Sequence, residues 1–376
     1  MGKLVMKLKI FSLFFLLSFF EIAVAEKIYT SDKHSYSIET VVDGLQYPWA
    51  VEFITDKKIL ITERPGYLRI YENGKLSTPI KGLPSVKAER QGGLLDVVLD
   101  PDFNKNKIIF FSYSAGNMFG IGTEVASARL VNHELKDVKV LFRALPKSKG
   151  GLHFGSRLLL TGDNSLYITL GDRGEMDRAQ DIADHAGSLI RINKDGSVPE
   201  NNPFAQDLDA KPEIYTYGNR NMQGIALDPI TNEVWTIEHG PQGGDELNLM
   251  KPGTNYGWPV ITYGVNYGIG TKIGEGTHKD GMSQPVYYWV PSIATSSVLF
   301  YSGEKFPNWK GNAFISSLKF GQLARLEMTD NKVIKEERLI NGAVGRIREV
   351  KEGPDGFLYI LIDDPNGKLL RIKPSD

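Results

Sequence analysis

The chain has 376 residues, and its 44 lysines and arginines nearly balance its 45 aspartates and glutamates, which leaves a net charge of −1. That balance disfavours nucleic acid and anionic membrane surfaces as partners and favours a small molecule. The chain has no cysteine, so disulfides, thiolate metal sites and cysteine nucleophiles are excluded, and oxygen donors must carry any metal chemistry.

The N-terminal residues are organised like a secretory signal peptide. Three lysines in the first nine residues precede an apolar run over residues 10–20, and small residues follow up to Ala25. A membrane-spanning helix needs about 20 apolar residues, so the short run favours a cleaved signal over a membrane anchor. The sequence therefore predicts a signal peptide over residues 1–25 and export to the periplasm. One mature domain, without a membrane span, is predicted over residues 26–376.

A strand signal preceded by a tight turn recurs six times along the predicted mature chain. In each copy Asp, Asn, Gly or Pro precedes a β-branched or aromatic run. The copies are ITDKKILITERPG from Ile54, PDFNKNKIIFFSYS from Pro101, GDNSLYITLGD from Gly162, DPITNEVWTIEHG from Asp228, WKGNAFISSLKFG from Trp309 and GPDGFLYILIDD from Gly353. Helical periodicity is scarce and glycine is abundant, which indicates an all-β chain.

A second element, a glycine followed by an apolar residue and an Arg-apolar pair, trails several copies and predicts the next strand of each unit. It occurs at Gly66, Gly187, Gly321 and Gly367. Six units of roughly 50 to 80 residues favour radial stacking over a sandwich. The predicted fold is therefore a six-bladed β-propeller with four-stranded antiparallel blades. The segment SYSIETVV from Ser35 is expected to close the ring, with Ile38 pairing with the strand around Leu369.

The innermost strand of each blade starts beside the central channel, so residues that are far apart in sequence converge there. The predicted starts carry Trp49, Gln91, His153, Asn221, residues 292–296, Arg346 and Arg348. One mouth of the channel is therefore expected to be polar and basic, where an apolar lining is the ordinary alternative.

His153 is the leading candidate for catalysis, because a neutral imidazole can accept the proton of a substrate hydroxyl at physiological pH. Asp172 follows the strand ITLG and can orient His153, although a turn-capping role is an equally good interpretation of that position. His239, in the sequence EHGP, is not assigned.

Basic residues at the ends or starts of different blade strands are predicted to point toward one place. They are Arg220, Lys319, Arg346 and Arg348. Such a set forms a clamp for a polyanionic ligand, because guanidinium groups bind carboxylates in a planar, bidentate manner. For any one of these residues, solvated surface charge is the alternative.

A calcium site is suggested by the stretch EHGPQGGDELNLMKPGTNYGW, which starts at Glu238. Its glycines and prolines force turns that expose backbone carbonyls, and Asp245 and Glu246 add carboxylates, which are the hard donors that calcium prefers. Acidic loops without a metal are common, so an ordinary acidic loop is the alternative interpretation.

A series of motifs along nearly the whole predicted mature chain resembles the soluble aldose sugar dehydrogenases, relatives of soluble glucose dehydrogenase. The motifs, in the order that the family shows, are PWAVEF, RQGGLLDVVLDPDF, HFGSRL, LGDRG, YGNRNMQGIALDP, EHGPQGGDELN, NYGWP, WVPSIATS, LKFGQLARL and GRIREV. The resemblance implies an enzyme that oxidises the anomeric carbon of aldose sugars to lactones. It also implies pyrroloquinoline quinone and calcium as cofactors and a soluble or membrane-bound electron acceptor other than oxygen.

The resemblance also implies roles for individual residues. His153 is the implied general base, and Asp172 supports it. The implied cofactor contacts are Gln91, Arg220, Asn221, Tyr267, Lys319, Arg346 and Arg348. Gly240 and Pro241 are implied to offer carbonyls to the calcium at the quinone, Glu246 and Tyr256 to hold a second calcium, and Trp289 to line the substrate mouth. Because the chain is short between Tyr267 and Trp289, strict glucose preference is not implied.

Two other classes share the propeller fold, which cannot by itself separate them. A calcium-dependent lactone hydrolase needs a metal held by carboxylates and asparagine on the channel axis, and it has no use for four basic residues. A non-catalytic propeller that binds glycan or protein predicts no response to the cofactor and no effect of changing His153.

Overall fold

The computed structural model describes residues 1–2 and 27–375. The signal peptide predicted for residues 1–25 lies, apart from its first two residues, outside the described part. In chain order the strands are β1 Ile28–Thr30, β2 Ser35–Leu45, β3 Pro48–Thr55, β4 Lys58–Glu63, β5 Tyr67–Glu72, β6 Lys75–Leu76, β7 Leu94–Leu99, β8 Ile108–Asn117, β9 Gly120–Val131, β10 Glu134–Arg143, β11 Leu158–Leu160, β12 Ser165–Thr169, β13 Leu189–Asn193, β14 Ile214–Thr216, β15 Met222–Leu227, β16 Val234–Glu238, β17 Asp245–Leu249, β18 Tyr287–Trp289, β19 Thr295–Phe300, β20 Ala313–Ser317, β21 Leu323–Thr329, β22 Lys332–Leu339, β23 Ile347–Glu352, β24 Leu358–Ile362 and β25 Gly367–Pro374. Helical structure in the same residues is confined to α1 Phe103–Asn106 and the 3₁₀ turns Met176–Gln180 and Pro307–Trp309.

These strands form six antiparallel sheets, and the predicted six-bladed propeller is confirmed. The blades consist of β3–β6, β7–β10, β11–β14, β15–β18, β19–β22, and β23–β25 with β2 and β1. The innermost strands β3, β7, β11, β15, β19 and β23 contact one another in that order, and β23 contacts β3 again. Each predicted repeat copy supplies the second strand of a blade, namely β4, β8, β12, β16, β20 and β24.

The ring closes as the sequence predicts. Strand β2 pairs with β25, with Ile38 opposite Ile372 and Val42 opposite Leu369. The N-terminal part of the propeller therefore covers the last C-terminal strand, and the sixth sheet is extended to five strands by β1. This pairing joins the two ends of the ring and removes an open sheet edge.

The second strands owe their apolar sequences to burial on both faces. All five residues of β12, β16, β20 and β24 are buried, because each blade packs between two neighbours. A strand covered on both faces reads as a continuous apolar run. Among the described residues, no helix combines the length and the apolar character that crossing a membrane requires.

The closing strand is anchored by one aromatic side chain. Tyr36 of β2 is 1% exposed, stacks on Tyr29 with ring centroids 5.4 Å apart and meets the ring of Trp309 edge-on at 5.9 Å. Its hydroxyl accepts a hydrogen bond from the backbone N–H of Ile340 at 3.3 Å. The ring therefore ties the N-terminal strand to blades 5 and 6.

Replacing this ring should loosen the closure of the propeller. We expect Tyr36→Ala to lower the free energy of unfolding by about 3–5 kcal/mol, because truncating a buried aromatic side chain leaves a cavity. Tyr36→Phe keeps the ring and should cost about 1 kcal/mol, the typical loss of one hydrogen bond. Urea unfolding followed by tryptophan fluorescence measures both, and equal midpoints for Tyr36→Ala and the unchanged chain contradict the anchoring role.

Candidate active site

A cavity of about 500 Å³ opens at the end of the ring where the innermost strands start. Its lining consists of Trp49, Arg64, Arg90, Gln91, Leu95, Phe154, Gly155, Asn221, Gln223, His239, Ala294, Leu318, Lys319, Arg346, Arg348 and Asp363. Residues at the start of all six innermost strands contribute. The predicted cofactor contacts that the cavity brings together are Gln91, Asn221, Lys319, Arg346 and Arg348.

His153 lies at the edge of this cavity, directly before the lining residues Phe154 and Gly155. Its backbone has a positive φ of 49°, and its N–H donates to the side-chain oxygen of Gln91 at 2.7 Å. Its ring is 12% exposed, and Nδ1 lies 2.5 Å from Oδ1 of Asp172. The imidazole is therefore held between the cavity and a carboxylate behind it.

Asp172 is surrounded by hydrogen-bond donors. Oδ1 also accepts the backbone N–H of Gly174 at 2.7 Å, and Oδ2 accepts the indole N–H of Trp258 at 2.8 Å. Burial raises the pKa of Asp172, but the hydrogen bonds from His153 and Gly174 and the charge of Arg220 outweigh it and leave that pKa below its ordinary value. An ionised Asp172 can only accept, so Nδ1 of His153 donates, and in the neutral form of the ring the lone pair is on Nε2.

Arg348 and Arg346 share one carboxylate at the wall of the cavity. Arg348 donates to Asp363 at 2.7 Å and to the side-chain oxygen of Gln223 at 3.2 Å, while Arg346 lies 3.6 Å from Asp363. Burial raises the pKa of Asp363, and the nearby arginines, Arg348 first, bring it below its usual value. The pair is thus fixed in place with positive charge in excess.

Asn221 and Lys319 complete the polar part of the lining. The side-chain oxygen of Asn221 accepts the backbone N–H of Gly155 and the amide of Gln223, both at 3.2 Å, which holds the blade-start segments of blades 3 and 4 together. The ammonium of Lys319 has no carboxylate partner among the described residues, and it lies 5.0 Å from the centroid of the Phe320 ring. Lys319 is therefore a positive charge left for a ligand.

A smaller cavity adjoins the first, and His239 lines both. Arg220, Glu238, Gly240, Glu246 and Tyr256 are among its other lining residues. Burial raises the pKa of Glu238 to about 7, and burial followed by the nearby charge of Glu238 raises the pKa of Glu246 well above its ordinary value. Two buried carboxyl groups that repel each other favour a proton or a cation between them.

The oxygen donors around this smaller cavity suit a hard divalent cation. The buried side-chain oxygens of Asn219 and Asn248 have no described hydrogen-bond partner. The hydroxyl of Tyr256 is engaged with the carbonyl of Leu249 at 2.5 Å, whereas no described residue donates to the backbone carbonyl of Tyr256. Carboxylates, amide oxygens and a free carbonyl match the ligands that calcium takes in proteins.

The turn after Glu238 carries the other predicted calcium donors. The carbonyl of Gly240 accepts from Arg220 at 2.7 Å, and that of Pro241 accepts from Ser292 at 3.4 Å, so each keeps a second lone pair. His239 donates through Nε2 to the carbonyl of Thr295 at 2.6 Å, and burial lowers its pKa to about 4. His239 is therefore a neutral imidazole whose Nδ1 lone pair is not used by that bond.

Arg220 is placed differently from the other predicted clamp residues. Its guanidinium donates to the carbonyls of His239 at 3.1 Å and Gly240 at 2.7 Å, and it lies 5.4 Å from the Trp258 ring centroid. It lines the smaller cavity and orders the turn that carries the candidate calcium carbonyls.

Two predicted residues, Tyr267 and Trp289, are not among the lining residues of either cavity. Tyr267 is 67% exposed in the loop between β17 and β18. Trp289, expected at the substrate mouth, is 2% exposed in the core between blades 4 and 5 and donates to Glu336 at 3.3 Å. Its position on the outermost strand of blade 4 turns the side chain toward the neighbouring blade.

Several lining residues were not predicted from the sequence, namely Arg64, Arg90, Gln223 and Asp363. The repeat carries part of the signal for Asp363. Glu63, Glu238 and Asp363 lie at or directly after the end of a second strand, and each carboxylate binds a blade-start segment. A search for acidic residues at this position of each repeat would have identified Asp363.

The Glucose / Sorbosone dehydrogenase family model matches residues 45–371 of this chain. The chain belongs to this family. An aldose sugar dehydrogenase of Escherichia coli (strain K12) is 43% identical over 90% of this chain and 93% of its own length. The resemblance predicted from the motifs, and with it the prediction of a dehydrogenase, is confirmed.

Solved structures agree with this assignment. The soluble aldose sugar dehydrogenase from Escherichia coli in the apo-form has a TM-score of 0.87 and 42% identity, covering 90% of this chain and 99% of that one. The PQQ-bound form of an aldose sugar dehydrogenase from Streptomyces coelicolor has a TM-score of 0.74 and 24% identity, covering 90% and 98%. At that lower identity the Streptomyces structure shows the shared fold.

The arrangement of His153 and Asp172 makes a prediction about the carboxylate. We expect Asp172→Asn to lower turnover by about 10²–10⁴-fold, the range for losing a placed base. The amide nitrogen must face either the N–H of Trp258 or that of Gly174 and the histidine, so one donor meets another in either orientation. Steady-state kinetics measures the loss. Trp258→Phe removes one donor and keeps the carboxylate, so turnover should fall much less in this variant. Equal losses of turnover in the two variants contradict the orienting role.

Proposed function

We propose that this chain is a quinoprotein that oxidises the anomeric carbon of aldose sugars to lactones with pyrroloquinoline quinone and calcium. Electrons pass to an acceptor other than oxygen, and the chain works in the periplasm after removal of the signal peptide. The observation that carries the proposal is one cavity in which Lys319, Arg346 and Arg348 lie next to His153 and adjoin a donor-rich second cavity.

The cavity fits a flat polyanion. The side-chain Nε atoms of Arg220 and Arg348 are buried and have no partner in the described structure, and Lys319 lacks a carboxylate partner. Guanidinium and ammonium groups bind carboxylates strongly where water is excluded. Gln91, Asn221, Lys319, Arg346 and Arg348 would hold the quinone, with Arg220 behind the turn at Gly240.

The chemistry divides between the bound groups and the protein. The quinone supplies a two-electron acceptor, and calcium supplies a Lewis acid, held by the carbonyls of Gly240 and Pro241. A second calcium would be held by Glu246 and the carbonyl of Tyr256. His153 takes the proton of the anomeric hydroxyl on Nε2, and Asp172 stabilises the imidazolium that results. Loss of that proton to His153 and of a hydride from the anomeric carbon leaves a lactone, and the hydride would carry the two electrons to the bound quinone.

The channel axis argues against a lactone hydrolase. Such an enzyme needs a metal held on the axis by carboxylates and asparagine, but here the centre of the ring is filled by the guanidinium of Arg157. That group lies 2.7 Å from Glu349 and 3.5 Å from Asp96 and donates to the carbonyl of Gln223 at 3.0 Å. The guanidinium of Arg157 thus occupies the position on the axis where the metal of a hydrolase would have to bind.

Reconstitution tests the proposed function directly. Purified apoprotein is mixed with pyrroloquinoline quinone and calcium, and sugar-dependent reduction of a phenazinium dye is followed. We expect activity that needs both additions. Dye reduction without the quinone, or none with both additions across a panel of aldoses, contradicts the proposal, and hydrolysis of lactones without dye reduction favours the hydrolase instead.

The base can be tested in the same assay. We expect His153→Ala to lower turnover by about 10²–10⁴-fold, because a placed general base contributes on that scale. Thermal unfolding should change little, since the ring lies at the cavity edge. His133→Ala, on an outer hairpin of blade 2, is the matched control, and normal turnover of the His153 variant refutes the assignment.

The cationic clamp makes a separate prediction about cofactor affinity. We expect Lys319→Ala to raise the quinone concentration for half-maximal activity at least about tenfold, since a hydrogen bond to a charged group contributes about 1.5–3 kcal/mol. Titration of the apoprotein with quinone measures this shift. Lys335→Ala, which removes an exposed lysine paired with Asp32, should leave the titration unchanged, and equal curves for the two variants contradict the clamp.

A further inference from the structure

The lining of the larger cavity has more positive charge than the proposed cofactor neutralises. Its charged residues are Arg64, Arg90, Lys319, Arg346, Arg348 and a single carboxylate, Asp363. Five cations and one anion leave four positive charges, and a tricarboxylate neutralises three of them. Calcium next to the cavity adds further positive charge, so a second anion remains favoured after the cofactor is bound.

Arg64 and Arg90 are the cations to which the proposed cofactor role assigns nothing. Neither side chain forms an ion pair with a carboxylate in the described part of the chain, although every other arginine of the lining contacts Asp363. Both belong to segments next to innermost strands, at the junction of blades 1 and 2.

Arg64 is a half-buried residue whose guanidinium is held by two contacts. Its guanidinium lies 4.7 Å from the Tyr47 ring centroid, and Nη1 donates to the backbone carbonyl of Arg90 at 2.5 Å. A Cβ on Gly93 would lie 2.0 Å from the carbonyl oxygen of Arg64 and 2.6 Å from its Cγ, so the glycine makes room for this side chain. A cation fixed in this way loses little conformational entropy on binding a ligand.

Arg90 is placed beside the proposed base. Its side chain packs on Gly151, where an added Cβ would lie 2.7 Å from Cδ of Arg90. The next residue, Gln91, donates its N–H to the carbonyl of Gly151 at 3.2 Å and accepts the N–H of His153 at 2.7 Å. Arg90 is therefore linked, through the hydrogen bonds of its neighbour Gln91, to the histidine that would accept the proton of the anomeric hydroxyl.

We propose that Arg64 and Arg90 form a carboxylate subsite that selects aldoses carrying an acidic group, the hexuronic acids, over neutral aldoses. This inference rests on the proposed function, because it places a sugar between His153 and the two arginines. In a hexuronic acid ring the carboxylate is attached to the carbon on the other side of the ring oxygen from the anomeric carbon, and the two substituents point away from the ring in different directions. One molecule can therefore present its anomeric hydroxyl to His153 and its carboxylate to a guanidinium, which binds it in a bidentate manner.

Substrate preference tests the subsite. Reconstituted enzyme is assayed with D-glucuronate and D-glucose, using a phenazinium dye, whose positive charge gains nothing from the arginines. We expect a higher kcat/KM for glucuronate, carried by a lower KM and reduced by added salt. Arg64→Gln and Arg90→Gln should each lower the glucuronate-to-glucose ratio of kcat/KM at least about tenfold, the scale of one charge-assisted contact.

An exposed arginine of blade 2, away from the cavity lining, is the control. Arg129→Gln removes a guanidinium that is 49% exposed and paired with Asp137 on blade 2, and it should leave the ratio unchanged. A preference of the unchanged enzyme for glucose overturns the subsite. Arg64 and Arg90 variants that lower kcat/KM equally for both substrates overturn it as well. Either result leaves the proposed oxidation of aldoses intact.

Binding gives a readout that does not depend on turnover. Calorimetric titration of the His153→Ala holoenzyme with each sugar should show tighter binding of glucuronate, lost when Arg90→Gln is added. If no aldose is oxidised but this binding pattern is found, the subsite stands and the proposed function fails. Equal binding of the two sugars overturns the subsite.

Discussion

One buried guanidinium at the centre of the ring holds the inner strands together. Arg157 begins the third blade, is 3% exposed, and contacts each of the other five blades. Its partners are the ring of Trp49, the carboxylates of Asp96 and Glu349, and the carbonyls of Gln223, Ser296 and Arg348. A buried charge without partners costs several kcal/mol, so this set can persist only while all six innermost strands are in place. The registration of the blades at the channel is thereby coupled to a single residue.

The same residue lies beneath the floor of the candidate active site. Arg157 lines a second cavity on the other side of the ring, of about 350 Å³, and separates it from the cavity that holds the candidate active site. It also fixes the backbone of Gln223 and Arg348, whose side chains turn the other way and hydrogen-bond to each other at 3.2 Å. The clamp is therefore rigid because its backbone is tied to the axis. Side chains on separate blades keep a fixed spacing without any loop having to close.

The fold could be predicted because each blade buries a strand on both faces, which gives the same sequence pattern six times. The second strand of each blade is buried between neighbouring blades and so carries a recognisable apolar run after a tight turn. The closing strand places Ile38 opposite Ile372, as expected. The convergence of Gln91, Asn221 and the late arginines follows from the start of each inner strand. The partners of Arg157 could not be predicted from the sequence, since they are spread between residues 49 and 349 and half of them are backbone carbonyls. Trp289 was misplaced for a related reason: whether an aromatic side chain on an outermost strand faces the core or a mouth depends on register, which the motif does not reveal.

Several of the buried polar groups that lack partners lie where the chemistry is proposed. They include atoms of Arg220, Arg348, Asn219 and Asn248, and two buried acids, Glu238 and Glu246, line the same small cavity. Unpartnered buried atoms also occur elsewhere in the described structure, for example on Ser148, Thr216 and Trp309. Those at the site have complementary needs: the Nε atoms of the two arginines lack acceptors, and the acids with the amide oxygens lack a cation. A polyanion and a divalent cation that bind only the folded chain would satisfy both and stabilise it. Under the proposed function, the ligands would complete a region of the fold that its own residues leave unsatisfied.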